Sequence, residues 1–373
     1  MGRRGWHLIG PLTSMRFFAA FRVMMYHLVK WETKGFWLRG LMGTPVGVSY
    51  FFVSSGFLIT YTYSATSDAG ELSPRVFWLK RCARILPVYY LGLAAALPLL
   101  RGQQPTSLAK DAVTVLLVQA WSPTTAAYWN YAGWALSALA FFYLVLPLAL
   151  RVTRGLSPRT LALLAALAWG VSLATSLTYV ALNPDGLGAI DSRSRGFWLD
   201  VLKFNPLARL PEFLLGMFAA RLWSQAGDFG KRATAVFCGV GLALLVGLLL
   251  GQYLPYVVVN NGLWSPFLAL LLVSLTNESA VARLLSRKWL VTLGQSSFCL
   301  YMLHAPLFSF VKVWMPGAWE QHSHIVKTAI VVPIVLISLA GYRFIEAPAT
   351  AWLKSVLLGS SAGRRAPASQ AAE

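Results

Sequence analysis

The sequence predicts an all-α fold, a polytopic bundle of about ten transmembrane helices. Of the 373 residues, 57% are hydrophobic and only 12% are charged, about half the charged fraction of an ordinary soluble domain. Apolar stretches of membrane-spanning length recur from residue 13 to residue 346 with short interruptions. The three cysteines, Cys82, Cys238 and Cys299, show no metal-ligand spacing, so neither a disulfide framework nor a zinc site is predicted.

The individual spans follow from the hydropathy of windows about 19 residues long. The predicted spans cover residues 13–31, 42–63, 82–100, 130–150, 160–182, 205–223, 233–254, 262–277, 293–314 and 325–346. Residues 112–121 are too few to cross a membrane and are expected to form a re-entrant or interfacial segment. We therefore expect a cytoplasmic N-terminus at 1–12, a transmembrane domain at 13–346 and a disordered cytoplasmic tail at 347–373.

The charge distribution predicts the orientation of the chain. A formal net charge of +19 arises from 32 Lys and Arg against 13 Asp and Glu. Most basic residues lie in short connections between apolar segments, which favours contact with membrane lipids and not with nucleic acid. The connections that would share a side with Arg3 and Arg4 carry most of them, so we expect both termini in the cytoplasm and the protein in the cell membrane.

The first predicted helix contains ionisable residues that are costly at membrane depth. A charged residue there costs at least about 2.5–3.5 kcal/mol. This helix nevertheless carries Arg16, Arg22, His27 and Lys30. His27 follows Arg16 by eleven positions, which is close to three turns and a rise of roughly 16 Å. An imidazole can accept a proton from a hydroxyl, and a guanidinium can bind phosphate or carbonyl oxygen. Alternatively, His27 only hydrogen-bonds across the bundle and Arg16 reaches the lipid headgroups.

A second basic cluster lies at the start of the third predicted helix, in the segment KRCARILPVYY at 80–90. Arg81 and Arg84 are one turn apart and Lys80 is adjacent, so a phosphate group could bind two guanidinium groups and an ammonium at once. The alternative function of this cluster is to anchor the helix end to lipid headgroups.

Two further pairs are spaced for ion pairing within a helix. Arg209 and Glu212 are three residues apart, as are Arg343 and Glu346. We expect both to be structural ion pairs.

Tyr301 and His304 are also three apart, close to Pro306. This spacing places a phenol and an imidazole on one helix face, either beside a cavity or as part of the core. The sequence contains no P-loop, dinucleotide fingerprint, GxSxG elbow, HExxH motif or zinc cluster.

Several motifs in chain order carry a resemblance to a known family. They are Arg16 followed by ten residues and His27, GVSYFFVSSGFLI at 47–59, KRCARILPVYY at 80–90, GWALSALAFFYLVLP at 133–147, RLPEFLLGM at 209–217, LGQSSFCLYMLHAPL at 293–307 and RFIEAP at 343–348. Together they resemble the acyltransferase-3 family of integral membrane acyltransferases across nearly the whole chain. The resemblance implies a helix bundle that transfers an acyl group, commonly acetyl, from cytoplasmic acyl-CoA to a hydroxyl of a sugar, lipid-linked glycan or macrolide-like product.

The resemblance also implies roles for individual residues. The family's helix-one arginine and histidine fall on Arg16 and His27, and its CoA-facing arginines fall on Arg81 and Arg84. With Lys80, these arginines are expected to bind the phosphates of acyl-CoA, and no metal is expected. His27 is expected to be the general base and Arg16 to stabilise phosphate or oxyanion charge. An acyl-histidine intermediate is an open alternative.

One position departs from the family. Members usually have Trp-Ser-Leu-Ser-x-Glu where this chain has Trp134 to Leu139, so an apolar side chain replaces the customary carboxylate. A mechanism in which that glutamate orients the histidine is therefore in doubt. The candidate substrate-binding residues are Trp134, Ser137, Tyr143, Glu212, Tyr301 and His304.

The acceptor is predicted only by class. Because the external connections are short, we expect a small glycan, a glycolipid or a secondary metabolite. The chain ends shortly after its last predicted helix, so it is expected to be of the stand-alone type without an esterase-like domain. Two other functions stay open: a non-catalytic transporter or lipid scramblase with a polar path lined by Arg and His, and a degenerate enzyme that binds without catalysing.

Overall fold

The structure is a computed structural model that describes residues 4–28, 45–100, 107–226, 232–321 and 323–359. Every regular element in these ranges is helical and none is a strand. The helices are α1 (Arg4–Leu28), α2 (Gly47–Asp68), α3 (Pro74–Ala96), α4 (Leu108–Val115), α5 (Gly133–Val152), α6 (Pro158–Leu182), α7 (Phe197–Phe204), α8 (Pro206–Ala226), α9 (Ala233–Gly251), α10 (Tyr256–Asn260), α11 (Ser265–Leu275), α12 (Ala280–Leu285), α13 (Lys288–Gln295), α14 (Ser297–Trp314), α15 (Pro316–Gln321), α16 (Ser323–Gly341) and α17 (Ala347–Leu358). The predicted all-α fold is confirmed.

Seven helical segments in the described ranges are long and apolar enough to cross a membrane. They are Pro74–Leu99, Gly133–Val152, Pro158–Leu182, Ala233–Gly251, Tyr256–Leu275, Ser297–Trp314 and Ile325–Leu358. Helices α1, α2 and α8 have 25, 22 and 21 residues, long enough to span, but they carry more polar side chains. The predicted count of about ten spans, which includes these three, stays a prediction.

The polar helix α2 lies at the centre of the bundle, and two strongly apolar helices, α6 and α9, lie at its edge. Helix α2 packs along α8 and also contacts α1, α5 and α11. In contrast, the apolar windows of α6 and α9 are only 22% and 17% buried within the protein. This distribution has a physical cause, because a helix shielded from lipid can carry polar groups that would be costly at the lipid surface.

Local sequence signals set the starts of two spans. Ser73 precedes α3 and its hydroxyl accepts a hydrogen bond from the backbone N–H of Val76. Ser157 caps α6 in the same way. A proline follows each serine as the first helical residue, where its missing N–H costs no hydrogen bond.

The short apolar stretch at 112–121 does not span. It forms the end of α4 and a 3₁₀ turn at Gln119–Trp121, and Leu117 between them has a φ of 62°. A helix of eight residues rises only about 12 Å. The segment is therefore non-spanning, as the sequence predicted.

The last helical segment extends past the predicted end of the transmembrane domain at residue 346. Helix α16 continues through a π-helical turn at Tyr342–Glu346 into α17, which ends at Leu358. The cause is composition, since residues 347–358 include three Ala and three Leu, which favour a helix. Of the predicted disordered tail at 347–373, the first twelve residues are thus helical, and residues 360–373 lie outside the described part of the chain.

Helices α2 and α8 cross in direct backbone contact. A Cβ atom added at Gly56 would meet the carbonyl oxygen of Phe213, and one added at Gly216 would meet the carbonyl oxygen of Val53. Each glycine thus admits the backbone of the other helix, the packing mode that small residues permit in membrane bundles.

We predict that Gly216→Ala lowers the stability of the purified protein by about 1–3 kcal/mol, because the new methyl group forces the two backbones apart. The matched control is Gly239→Ala on α9, where an added Cβ would meet nothing within 4 Å. Thermal unfolding in detergent measures both variants. Equal melting temperatures for the two would contradict the close crossing of α2 and α8.

Candidate functional site

Helix α1 contributes ionisable side chains to two separate cavities. His27 lines one, which we call the His27 cavity, and Arg16 lines the other, the Arg16 cavity. Each has a volume of about 50 Å³. Arg16 and His27, which were predicted to share one face of α1, therefore line different cavities. The two residues are roughly 16 Å apart along the helix axis.

Six aromatic rings line the His27 cavity. They belong to Tyr26, Tyr131, Trp134, Phe204, Tyr256 and Tyr301. Arg22, Lys203 and Arg209 also line it. Flat apolar surfaces next to a few polar groups suit a ring-containing ligand that carries hydroxyls.

His27 is held by a second histidine. Its Nδ1 lies 2.8 Å from Nε2 of His304, and the two rings are nearly parallel, with an angle of 3° between their planes. His304 is completely buried, whereas His27 is exposed to the cavity. The sequence analysis left two alternatives for His304, a core residue or a cavity residue. The structure places it in the core, directly behind His27.

The backbone fixes which nitrogens of this pair carry protons. Nδ1 of His304 lies 2.7 Å from the carbonyl oxygen of Tyr301, and a carbonyl can only accept. In the neutral pair, Nδ1 of His304 is therefore protonated and its Nε2 accepts the N–H of His27 Nδ1. This leaves Nε2 of His27 with its lone pair, as a general base requires.

The Arg209–Glu212 pair lies next to the His27 cavity and is a structural ion pair, as predicted. Both side chains are 1% exposed, and Arg209 Nη2 lies 3.0 Å from Glu212 Oε2. Arg209 also donates to the carbonyl oxygen of Asn260, at 2.6 Å, and Ser49 donates to Glu212, at 3.1 Å. Arg209 and Ser49 line the cavity, while Glu212 binds both of them. Its carboxylate is already occupied by protein donors.

Lys203 lines the His27 cavity and is a functional candidate that was not expected from the sequence. It lies on the short helix α7, outside the spanning segments, and donates to the carbonyl oxygen of Ser194 at 2.7 Å. Burial lowers the pKa of Lys203 to about 8, and Asp200, 3.8 Å away, opposes that shift. No sequence signal marks this lysine, because only the tertiary fold brings α7 to the wall of the His27 cavity.

Three guanidinium groups meet in the Arg16 cavity. Arg81 and Arg84 line it together with Arg16, so the structure joins the two basic clusters found in the sequence. Arg16 lies over the ring of Phe298, 4.4 Å from its centroid, and Arg84 lies over the same ring at 5.5 Å. Lys80 is half-buried beside Arg81 and is not among the residues lining the cavity. The cavity is suited to an anion with more than one negative charge.

The partners of Arg81 and Arg84 differ. Arg81 donates to the hydroxyl of Tyr63 at 3.3 Å, and Arg84 forms an ion pair with Glu346 at 2.7 Å. The predicted pair between Arg343 and Glu346 is therefore wrong, since Arg343 is exposed and Glu346 is completely buried. Both residues lie in the π-helical turn, which has more residues per turn than an α-helix, so residues three apart no longer share a face.

The candidate residues of α5 are distributed over different environments. Trp134 lines the His27 cavity and Tyr143 lines the Arg16 cavity. Ser137 is buried between them and accepts the backbone N–H of Ala120 at 3.3 Å, which indicates a structural role. Leu139, at the family's glutamate position, is 1% exposed and belongs to the hydrophobic core.

An aromatic layer separates the two cavities. Tyr301 lines the His27 cavity and Phe298 lines the Arg16 cavity. Phe51 lines neither, but its ring packs against both, at centroid distances of 5.4 Å and 6.4 Å. Phe51 thus connects a wall residue of one cavity to a wall residue of the other. Among the residues that the structure describes, no cluster of three or more His, Cys, Asp or Glu side chains could hold a metal ion.

Comparison with known proteins identifies a family. Residues 12–343 match the model of an acyltransferase domain, the acyltransferase-3 type. The chain is 26% identical to the Staphylococcus aureus (strain COL) protein named "Putative O-acetyltransferase SACOL0978", over 91% of this chain and 57% of that protein. It is 24% identical to O-acetyltransferase OatA of S. aureus (strain NCTC 8325), over 90% and 56%. The chain thus spans just over half the length of these relatives, and no solved structure matches it.

We predict that Leu139→Glu destabilises the bundle by about 2.5–3.5 kcal/mol, because the core around Leu139 offers a carboxylate no water. Leu139→Met is the control, since a swap of similar volume costs less than about 1.5 kcal/mol. Thermal unfolding of the two purified variants is the measurement. A Glu variant as stable as the Met variant would show that this position can accept the family's carboxylate.

Proposed function

The chain belongs to the acyltransferase-3 family, and from this premise we propose that it is a membrane O-acetyltransferase that uses acetyl-CoA as donor. Its acceptor is a hydroxyl of a small glycan, a glycolipid or a secondary metabolite. The observation that carries the proposal is the His27–His304 pair, which presents an unprotonated Nε2 beside an aromatic cavity. The family membership and the names of the relatives support the same chemistry.

The donor's phosphates bind in the Arg16 cavity. Arg16, Arg81 and Arg84 supply forked hydrogen-bond donors to phosphate oxygens. Arg16 acts on phosphate and not on the reacting carbonyl, because Phe51 and roughly 16 Å of helix separate it from His27. The alternative left open by the sequence, oxyanion stabilisation by Arg16, is thereby disfavoured. The pantetheine arm leads from this cavity past Phe51 toward His27.

The acceptor binds in the His27 cavity. Nε2 of His27 takes the proton of the acceptor hydroxyl, and the hydroxyl oxygen attacks the thioester carbonyl. The C–S bond then breaks, and the CoA sulfur takes the proton back from His27. His304 keeps the His27 ring in the required tautomer throughout. Direct transfer of this kind needs no covalent enzyme intermediate.

The orientation follows from the basic connections. We propose that both termini are cytoplasmic, in the cell membrane, because Lys and Arg concentrate on that side. Arg16 then lies toward the cytoplasm and His27, in the last turn of α1, toward the opposite face. In this orientation the donor enters from the cytoplasm, and the acceptor reaches His27 from the other side.

The test of the proposal is turnover of labelled acetyl-CoA by the purified chain with an acceptor extract from the native cell. A transferase releases CoA and yields a labelled product that depends on the extract. A transporter or scramblase leaves the thioester intact. An inactive wild type that gains turnover on Leu139→Glu would identify a degenerate enzyme and overturn the proposal.

We predict that His27→Ala lowers acetyl transfer by a factor of about 10²–10⁴, the usual contribution of a general base, while the affinity for CoA is unchanged. His304→Gln should retain part of the activity, because its amide oxygen can still accept the His27 N–H. Single-turnover transfer and equilibrium CoA binding measure the two effects. Near-normal transfer by His27→Ala would exclude His27 as the base.

We predict that Arg81→Ala and Arg84→Ala each weaken CoA binding by roughly 1.5–3 kcal/mol, because each loses charge-assisted hydrogen bonds to phosphate. Acceptor binding should change little, and high salt should reproduce part of the loss. The control is Arg151→Ala, which removes an exposed arginine at the end of α5. Unchanged CoA affinity in both variants would instead favour the role of a headgroup anchor.

A further inference from the structure

Glu346 is buried deep in the protein and contacts Arg84, which lines the Arg16 cavity. Its side chain is 0% exposed, and Oε1 lies 2.7 Å from Arg84 Nη1. Its other oxygen, Oε2, accepts the thiol of Cys299 at 3.1 Å. One carboxylate oxygen therefore contacts a guanidinium in an ion pair, and the other accepts a hydrogen bond from a thiol.

The local backbone explains how this carboxylate reaches α3. Glu346 ends the π-helical turn Tyr342–Glu346, which interrupts the long C-terminal helical segment. This turn lies against α3. A π turn redirects the side chains that follow it and often occurs at functional sites. The wider turn aims Glu346 inward, while Arg343 of the same turn is exposed.

The Arg84–Glu346 pair differs from the Arg209–Glu212 pair in the exposure of its arginine. Arg209 lines the His27 cavity but is only 1% exposed, as is Glu212. The side chain of Arg84 is 14% exposed and lines the Arg16 cavity, although its partner is fully buried. One edge of the Arg84 guanidinium is thus fixed by protein, and the rest of the group is presented to the cavity.

The pair also addresses a problem of charge. Arg16 and Arg84 lie over the same ring of Phe298, and two like charges so close repel each other. Among the described residues, Glu346 is the carboxylate that forms an ion pair with one of these arginines, Arg84. Three guanidinium groups and one carboxylate leave two positive charges for a ligand, which suits the phosphates of a CoA donor.

We propose that Glu346 is a positioning residue for the donor, which fixes Arg84 beside Arg16 so that both can bind phosphate of CoA. This inference rests on the proposed use of a CoA donor. Cys299 assists by holding the second oxygen of Glu346. Because Glu346 acts through Arg84, it affects ligands that carry phosphate and not the acceptor.

The experiment compares equilibrium binding of CoA and of pantetheine, which lacks the phosphates, to the full chain in detergent. We expect Glu346→Gln to weaken CoA binding about tenfold, as the loss of one fixed charge-assisted contact would, and to leave pantetheine binding unchanged. The matched control is Asp68→Asn, which removes the carboxylate from the 2.6 Å pair with Arg221 elsewhere in the bundle. It should alter neither affinity.

Two further variants test whether the position of the Glu346 carboxylate matters apart from its charge. They also guard against an effect that comes only from misfolding. Glu346→Asp keeps the charge but withdraws it from Arg84, so it should also weaken CoA binding if position matters. Cys299→Ala frees one carboxylate oxygen and should cause a smaller loss of the same kind. If Glu346→Gln fails to fold, these two variants decide the question. Tighter or unchanged CoA binding in the folded Glu346 variants would overturn the proposal.

The same measurements distinguish this inference from the proposed function. A wild type that binds CoA more tightly than pantetheine, but transfers no acetyl group, contradicts acetyl transfer and leaves the role of Glu346 testable by binding. A wild type with no preference for CoA over pantetheine overturns the role of Glu346 directly.

Discussion

A charged side chain inside a membrane protein is stable only where protein groups replace the water it has lost. In this bundle that requirement joins distant parts of the chain. Arg209 on α8 binds a carboxylate and a backbone carbonyl, Arg81 on α3 binds a phenol, and Arg84 binds the carboxylate of Glu346. Helix α8 packs centrally against α2, whereas the apolar windows of α6 and α9 are only 22% and 17% buried. The central packing therefore satisfies these charges at the same time as it builds the two cavities.

The His27–His304 pair shows how a histidine can be oriented without a carboxylate. Glu212, a carboxylate beside this cavity, is neutralised by Arg209, and Leu139 occupies the family's glutamate position. Here a second imidazole, itself fixed by a peptide carbonyl, orients the first. A neutral partner supplies direction but no countercharge, so a protonated His27 would be stabilised less than beside a carboxylate. In the proposed mechanism, this favours early return of the proton to the leaving sulfur.

Much of the fold and part of the site follow from local sequence. Hydropathy predicts the long apolar helices. The spacing of Arg81 and Arg84 predicts two cationic side chains one helical turn apart, and both line the same cavity. The contacts that define the chemistry depend instead on long-range packing. His27 and His304 are 277 residues apart in sequence, and no local pattern relates them. The Arg84–Glu346 pair was missed for a second reason, because a π turn changes the spacing on which an ion-pair prediction relies.

The aromatic layer around Phe51 has a consequence for the membrane itself. Two polar cavities that enter a bundle from opposite ends would, if joined, form a continuous chain of water molecules. Protons could leak along that chain and dissipate the electrochemical gradient. The packed rings of Phe51, Phe298 and Tyr301 lie between residues that line the two cavities. In the proposed mechanism, a donor arm that threads between these rings would fill the opening that it makes. Transfer of the acyl group would then open no continuous path for protons.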